Sequence, residues 1–223
     1  MNIRFFALLV VLLLAGCFSI NSDVEVGDGE TVERNLSTVN GAVRVGAESV
    51  VEGDASTVNG SVSIGSGSTI TGHVETVNGK ISLDQGARAG SVEGVNGSIE
   101  IGPQAEIEGS VETVNGQVVI GTDARVDGSV SSVNGQIRVK GATVGSVKNA
   151  KGGIVLEQGS RVLGELRIVK SRNSFRDDPP TVEIHADCEI AGPLIFEREV
   201  KLRIHESATV GEIEGAEPEY FND

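Results

Sequence analysis

The stretch Val111–Gly121 reads VETVNGQVVIG, and its middle returns along the chain. Val-Asn-Gly starts at Val39, Val58, Val77, Val95, Val114 and Val133, at steps of 19, 19, 18, 19 and 19 residues. A catalytic loop is needed once. A unit that recurs at a near-constant step marks one turn of a stacked structure.

An apolar pair follows each glycine, and the pair outlasts the motif. It occurs as Val24/Val26, Val43/Val45, Val62/Ile64, Ile81/Leu83, Ile99/Ile101, Val118/Ile120, Ile137/Val139, Ile154/Leu156, Val182/Ile184 and Leu202/Ile204, ten copies in all. One residue separates the two members, so both point to the same face of a strand. A second apolar column runs Val51, Ile70, Ala89, Ile107, Val126, Val144, Val162, Ile190, Val210. A third runs Val74, Val92, Val111, Val130, Val147, Leu166, Leu194, Ile213, and the Val of Val-Asn-Gly reads as a fourth. Between first and second lies a small-residue column: Ser68, Ala87, Ala105, Ala124, Ala142, Ser160, Cys188, Ala208. Cys188 fills a slot otherwise held by Ala or Ser and reads as a buried, inert thiol.

Each turn therefore has three short strands broken by glycine-bearing corners. Nineteen residues at ~3.3 Å each give a circuit near 60 Å, which closes around a single layer of aliphatic side chains. No turn buries its apolar residues alone, so stability comes from its neighbours. The expected fold is all-β: a single-domain parallel β-helix (β-solenoid) of about ten turns over residues 23–215.

Composition agrees. Glycine is abundant at 30 residues, aromatics are 3%, and there is no Trp. The core must be aliphatic, and Val and Ile favour pleated surface. The net charge of −14 argues against nucleic acid as a partner.

Asn-Gly tolerates positive φ and suits a tight corner. Stacked corners set Asn40, Asn59, Asn78, Asn96, Asn115 and Asn134 one above another. Each amide can donate to one neighbour and accept from the other, a structural ladder at a partly buried corner, read against a ligand-binding Asn row. The ladder is expected to end where Ala150-Lys151-Gly152 replaces the motif. An outward column Arg88, Glu106, Arg125 alternates in sign and favours register. Another, Glu75, Glu93, Glu112, stacks like charges. It reads as a solvated stripe, with cation binding as the alternative. No metal or cofactor is otherwise expected.

One turn is lengthened by an insert at 169–180, VKSRNSFRDDPP. Lys170, Arg172 and Arg176 flank Phe175 on an otherwise acidic chain. Loops on solenoids often carry function, so this is the candidate partner contact, against a functionless insertion. Phe196, Tyr220 and Phe221 are read as covers for the end of the core, and 216–223 as a tail or cap.

No catalytic constellation emerges. His185 and His205 align in neighbouring turns, but no third ligand is evident. No G-x-S-x-G occurs, and Thr38, Thr57, Thr76 and Thr113 form an interrupted column unsuited to ice binding. The chain is read as not an enzyme.

The front reads MNIRFFALLVVLLLAGCFS. Arg4 precedes the apolar run Phe5–Leu14, which is too short for a membrane-spanning helix (~20 residues) and fits a secretory signal at 1–16. Leu14-Ala15-Gly16-Cys17 resembles the bacterial lipoprotein box. That resemblance implies cleavage before Cys17, lipidation of its sulfur, and a membrane partner through the anchor. Phe18 in place of Asp implies the outer membrane in a Gram-negative cell. Residues 17–22 are then a short linker. Removing Arg4 from the 18 basic residues leaves 17 against 32 acidic ones, a charge of −15.

The xVxIG…AxVxGxVE unit, from Asp23 to about Gly215, is similar to the repeats of bactofilins and of secreted polymer-forming or adhesin-type β-helical proteins. The resemblance implies a β-helix that assembles end to end. This chain adds an export signal, Asn-Gly corners and a charged insert. Three functions are weighed: a lipid-anchored envelope scaffold contacting an envelope protein or polysaccharide, which is favoured; a bactofilin-like polymer built by self-association; and a carbohydrate-binding or carbohydrate-active module.

Overall fold

The computed structural model describes residues 17–170 and 178–222, with side chains from residue 20 onward. Among them every regular element is a strand, and every strand pairing is parallel. The chain winds as a β-solenoid of about ten turns with three faces. The first face is an eleven-stranded sheet that begins at Val24–Val26 and ends at Pro218–Phe221. The second and third faces together form a seventeen-stranded sheet. In four turns their strands run on as one, as in Thr69–Asn78 and Arg88–Asn96.

The register is that of the repeat. Ile81 pairs with Val62 below and Ile99 above, and Leu83 with Ile64 and Ile101. The single 18-residue step is absorbed at one corner. Ala89 pairs with Ile70, but Ser91 pairs with His73, so the missing residue is taken out between the second and third faces. Both neighbouring faces keep their columns, because a one-residue slip within a strand would turn its apolar side chains outward.

The first three apolar columns line the interior. Val43, Val62, Ile81, Ile99, Val118, Ile137 and Ile154 are fully buried, as are Val74, Val92, Val111 and Val130. The small-residue column also faces in. Its serines bond the turn below: Ser68 Oγ donates to the Gly46 carbonyl at 2.6 Å, and Ser160 Oγ to that of Val139 at 2.9 Å.

Four details differ from the reading of the sequence. First, the valine of Val-Asn-Gly is not a core column. Val39, Val58, Val77, Val95, Val114 and Val133 are only partly buried, and the residue before each valine faces in: Thr38, Thr57, Thr76, Gly94, Thr113 and Ser132 are buried. Strand alternation dictates this, since Val74 is inside and Thr76 lies two residues on.

Second, the Asn-Gly corner does not use the left-handed region. None of its asparagines has a positive φ, and of its glycines only Gly97 does, at 157°. Left-handed residues cluster at the corner between the first and second faces: Gly29, Glu48, Gly67, Gly86, Gln104, Asp123, Gly141, Gln158, Gly159 and Asp187, with φ from 54° to 70°; Gly215, at 84°, follows the last strand of the third face. Glycine is required after Asn for closeness instead. A Cβ on Gly60 would lie 1.9 Å from the Gly41 oxygen, and one on Gly79 1.9 Å from the Gly60 oxygen.

Third, the stack extends past the ten pairs on both sides. Cys17–Ser19 pairs with Leu36–Thr38 ahead of Asp23. Pro218–Phe221, within the segment read as a tail or cap, forms an eleventh strand on the first face against Leu202–His205. Fourth, Phe196 is a buried member of the third face rather than a cover, and Tyr220 is 59% exposed. Phe221 packs outside the core, against His185 and His205.

Candidate functional site

The polar residues that recur at every turn are the chemistry the fold repeats most. At the Asn-Gly corner each side-chain amide donates to the carboxamide oxygen one turn toward the N-terminus. Asn59 reaches Asn40 at 2.9 Å, Asn78 reaches Asn59 at 2.8 Å, Asn96 reaches Asn78 at 2.9 Å and Asn115 reaches Asn96 at 2.8 Å. Asn134 donates to Asn115. Asn40 donates to Asn21 at 2.8 Å, a rung that the motif search misses because Ser22, not glycine, follows it. Stepping back 19 residues from Asn40 finds it. These side chains are exposed, so the ladder stands on the surface rather than at a partly buried corner.

A second polar column lies inside the first. Thr38 Oγ1 donates to the Ser22 carbonyl at 2.9 Å, Thr57 to Gly41 at 2.9 Å and Thr76 to Gly60 at 3.0 Å. Thr113 and Ser132 repeat this to Gly97 and Gly116. The close approach at the corner turns a carbonyl inward, and the hydroxyl satisfies it. The inward threonines therefore present no surface array.

Asn149 closes this column. It is fully buried, donates to the Gly135 carbonyl at 2.7 Å, and accepts from the backbone of Ala150 and Gly152. Above it the same position becomes Ile168 and then Phe196, both buried. Lys151 N donates to the Val133 carbonyl as Asn134 N does to Val114, so Lys151 stands in register above the last rung.

Glu75, Glu93 and Glu112 are paired neighbours on the third face. Burial, and then the charge of Glu93 between them, pushes the Glu75 and Glu112 carboxyls above the ordinary glutamate range. Among the described residues no group of three or more His, Cys, Asp or Glu side chains is placed to hold a metal ion, so this column gathers no ligand set. The same column continues upward as Ser131, Lys148 and Arg167. Arg167 is gripped by Glu165 at 2.8 Å and Glu197 at 3.0 Å, and both carboxyls are held below their usual range by hydrogen bonding.

Arg88, Glu106 and Arg125 stack on the second face, with Arg88–Glu106 at 3.3 Å. Higher on that face Arg161 meets Glu189 at 2.6 Å. His185 and His205 flank Phe221 with ring centroids at 5.8 and 5.3 Å, and the Arg203 guanidinium lies 4.8 Å from the same ring. The pair is thus part of the packing of the terminal strand. Cys188 is buried in the small-residue column, and burial raises its thiol pKa.

Lys170 is exposed, and its backbone N–H donates to Glu197 at 3.1 Å. Arg172, Phe175 and Arg176 of the insert lie outside the described residues, as do residues 1–16, the expected signal, and the Cys17 side chain.

Comparison with protein-family models, curated proteins and solved structures finds no match.

Proposed function

We propose that this chain is a non-enzymatic, lipid-anchored scaffold of the bacterial cell envelope. One observation carries the scaffold reading: the polar side chains repeated along the rod bond to their own copies in adjacent turns. The asparagines bond asparagines, Gln85 bonds Gln104 at 2.9 Å, and Ser37 bonds Ser56 at 3.0 Å. Residues so engaged hold register, and a solenoid built from them offers length and flat faces to a partner.

The anchor rests on the sequence Leu14-Ala15-Gly16-Cys17 behind an apolar run. Cys17 pairs with Leu36 in the first rung of the third face, so an acyl chain on its sulfur would hold the rod end against the bilayer without a spacer. Phe18 favours the outer membrane. The insert at 169–180, which opens at Val169–Lys170, is the proposed contact for an envelope protein or polysaccharide. Cys17→Ser tests the anchor. Loss of labelled fatty acid and release from the membrane fraction are expected; a variant that stays membrane-bound contradicts it.

A second reading, an end-to-end polymer like that of bactofilins, is supported by the final turn. Val210 and Ile213 are only partly buried there, and among the described residues the last strand of each face has no further strand paired beyond it. Filaments in electron micrographs of the purified protein would favour it.

A further inference from the structure

The outward surface of the third face has three parallel columns. One is small: Ser91, Ser110, Ser129 and Ser146. One is apolar: the partly buried valines Val58, Val77, Val95, Val114 and Val133. Between them runs the charged column, Glu75, Glu93, Glu112, Ser131, Lys148, Arg167, in consecutive turns. Its signs are arranged about Ser131. One turn below is Glu112 and one turn above is Lys148. Two turns below is Glu93 and two turns above is Arg167.

We infer that the third face is a self-complementary surface on which a second copy of this chain docks antiparallel, about a two-fold axis through Ser131. Such an axis lies along the strand direction. It reverses the rod and the face normal, and leaves the order of the columns across the face unchanged. Ser129 and Val133 then meet their own copies, Ser110 meets Ser146, Val114 meets Ala150 and Val95 meets Val169, while Ser91 faces Glu165. Glu112 faces Lys148 of the second copy, and Glu93 faces its Arg167. Ser131, small and uncharged, sits where the column meets itself. An isologous contact of this kind needs each patch to complement its own reversed copy.

Charge selects this arrangement over a parallel one, which would set the acidic turns of both copies at the same height. It also answers a mismatch within one rod, where Glu75, Glu93 and Glu112 repel at adjacent turns while Lys148 stands exposed above them. Overlap of about eight turns at ~4.8 Å, across a face of ~17 Å, buries about 600–700 Å² per copy. That reaches the lower end of the standard range for a specific interface. The small residues nearest the axis, Ser110, Ser129, Ser146 and Ala150, allow close approach, and the charges set register. The pairing does not depend on the lipid anchor.

The test is sedimentation of the full chain in detergent, as wild type, Glu112→Lys, Lys148→Glu and the double swap. Wild type is expected to be a dimer that weakens with salt. Each single reversal sets like charges opposite one another twice per dimer and is expected to weaken association roughly tenfold or more. The double swap restores the complement and is expected to restore the dimer. Thermal unfolding of each variant confirms that the rod is intact. A monomeric wild type, single variants that dimerise as well as wild type, or a folded double swap that stays monomeric would each overturn the inference.

Discussion

Thr57 Oγ1 donates to the carbonyl oxygen of Gly41, 16 residues earlier, at 2.9 Å. Gly60, three residues on from Thr57, stacks so closely that a Cβ there would lie 1.9 Å from the same oxygen. One carbonyl thus explains two residues of the repeat. It fixes glycine above it and a hydroxyl beside it. Where the Asn-Gly corner stops, the hydroxyl gives way to Asn149 and then to Ile168 and Phe196.

Thr76→Val therefore destabilises the rod although it preserves shape and adds apolar surface. The Gly60 carbonyl loses its side-chain donor in a buried position, at about 1–3 kcal/mol. Val77→Thr, one residue away on the outer side, changes stability by less than about 0.5 kcal/mol. Chemical denaturation of the two variants checks the inward assignment; equal effects would contradict it.

Gly79→Ala and Gly86→Ala separate two uses of glycine. At Gly79 the added methyl meets the Gly60 backbone oxygen, and the loss is about 3 kcal/mol or more. At Gly86, with φ of 69°, the nearest atom to the new Cβ is 3.9 Å away. Only the left-handed conformation is penalised there, by about 1–2 kcal/mol. Gly86→Asn is milder still, because Asn visits that region.

The glutamate column carries a pH dependence of defined sign. The Glu75 and Glu112 carboxyls are raised in the folded state, first by burial and then by Glu93. Their contribution is most favourable below the ordinary glutamate range, where both are protonated. It is lost as pH rises through their raised values. Glu93→Gln removes the shared neighbour, lowers both titration midpoints, and stabilises dilute protein at pH 7 by less than about 1 kcal/mol. At pH 3 the gain disappears. Side-chain NMR titration with thermal unfolding at both pH values reads this; an upward shift of either midpoint would contradict it.

Cys188 reports on the whole stack. Its side chain is buried in the small-residue column and its thiol is raised by burial. Maleimide labelling of Cys188 is expected to follow global unfolding, and Cys188→Ala to change stability by less than about 1 kcal/mol, since alanine fills the same slot in neighbouring turns. Fast labelling of the folded protein would place the thiol outside the core.

The repeat was legible because its signals are redundant. The pair Ile99/Ile101 and its copies announce a strand face, and the return of Val-Asn-Gly gives the period. The asparagine column needed only that period. Less legible was the corner. Valine is the more apolar residue in Thr-Val-Asn-Gly, yet strand alternation from Val74 puts Thr76 inside. Glycine's left-handed tolerance suggested a positive φ that close stacking makes unnecessary. Pro218–Phe221 was obscured because Pro218, Tyr220 and Phe221 break the aliphatic pattern, and only pairing with Leu202–His205 identifies the strand.

The central claim is that each repeat adds one rung of height, including the turn that carries the insert. Nitroxide labels at Ser63→Cys and Glu183→Cys, in a Cys17→Ser background diluted with unlabelled protein, measure it by pulsed electron resonance. These positions share the outward column of the first face, six rungs apart. The expected separation is about 29 Å, and moving the lower label to Arg44→Cys lengthens it by about 5 Å. A broad distribution, or a distance unchanged by the added rung, would contradict the stack.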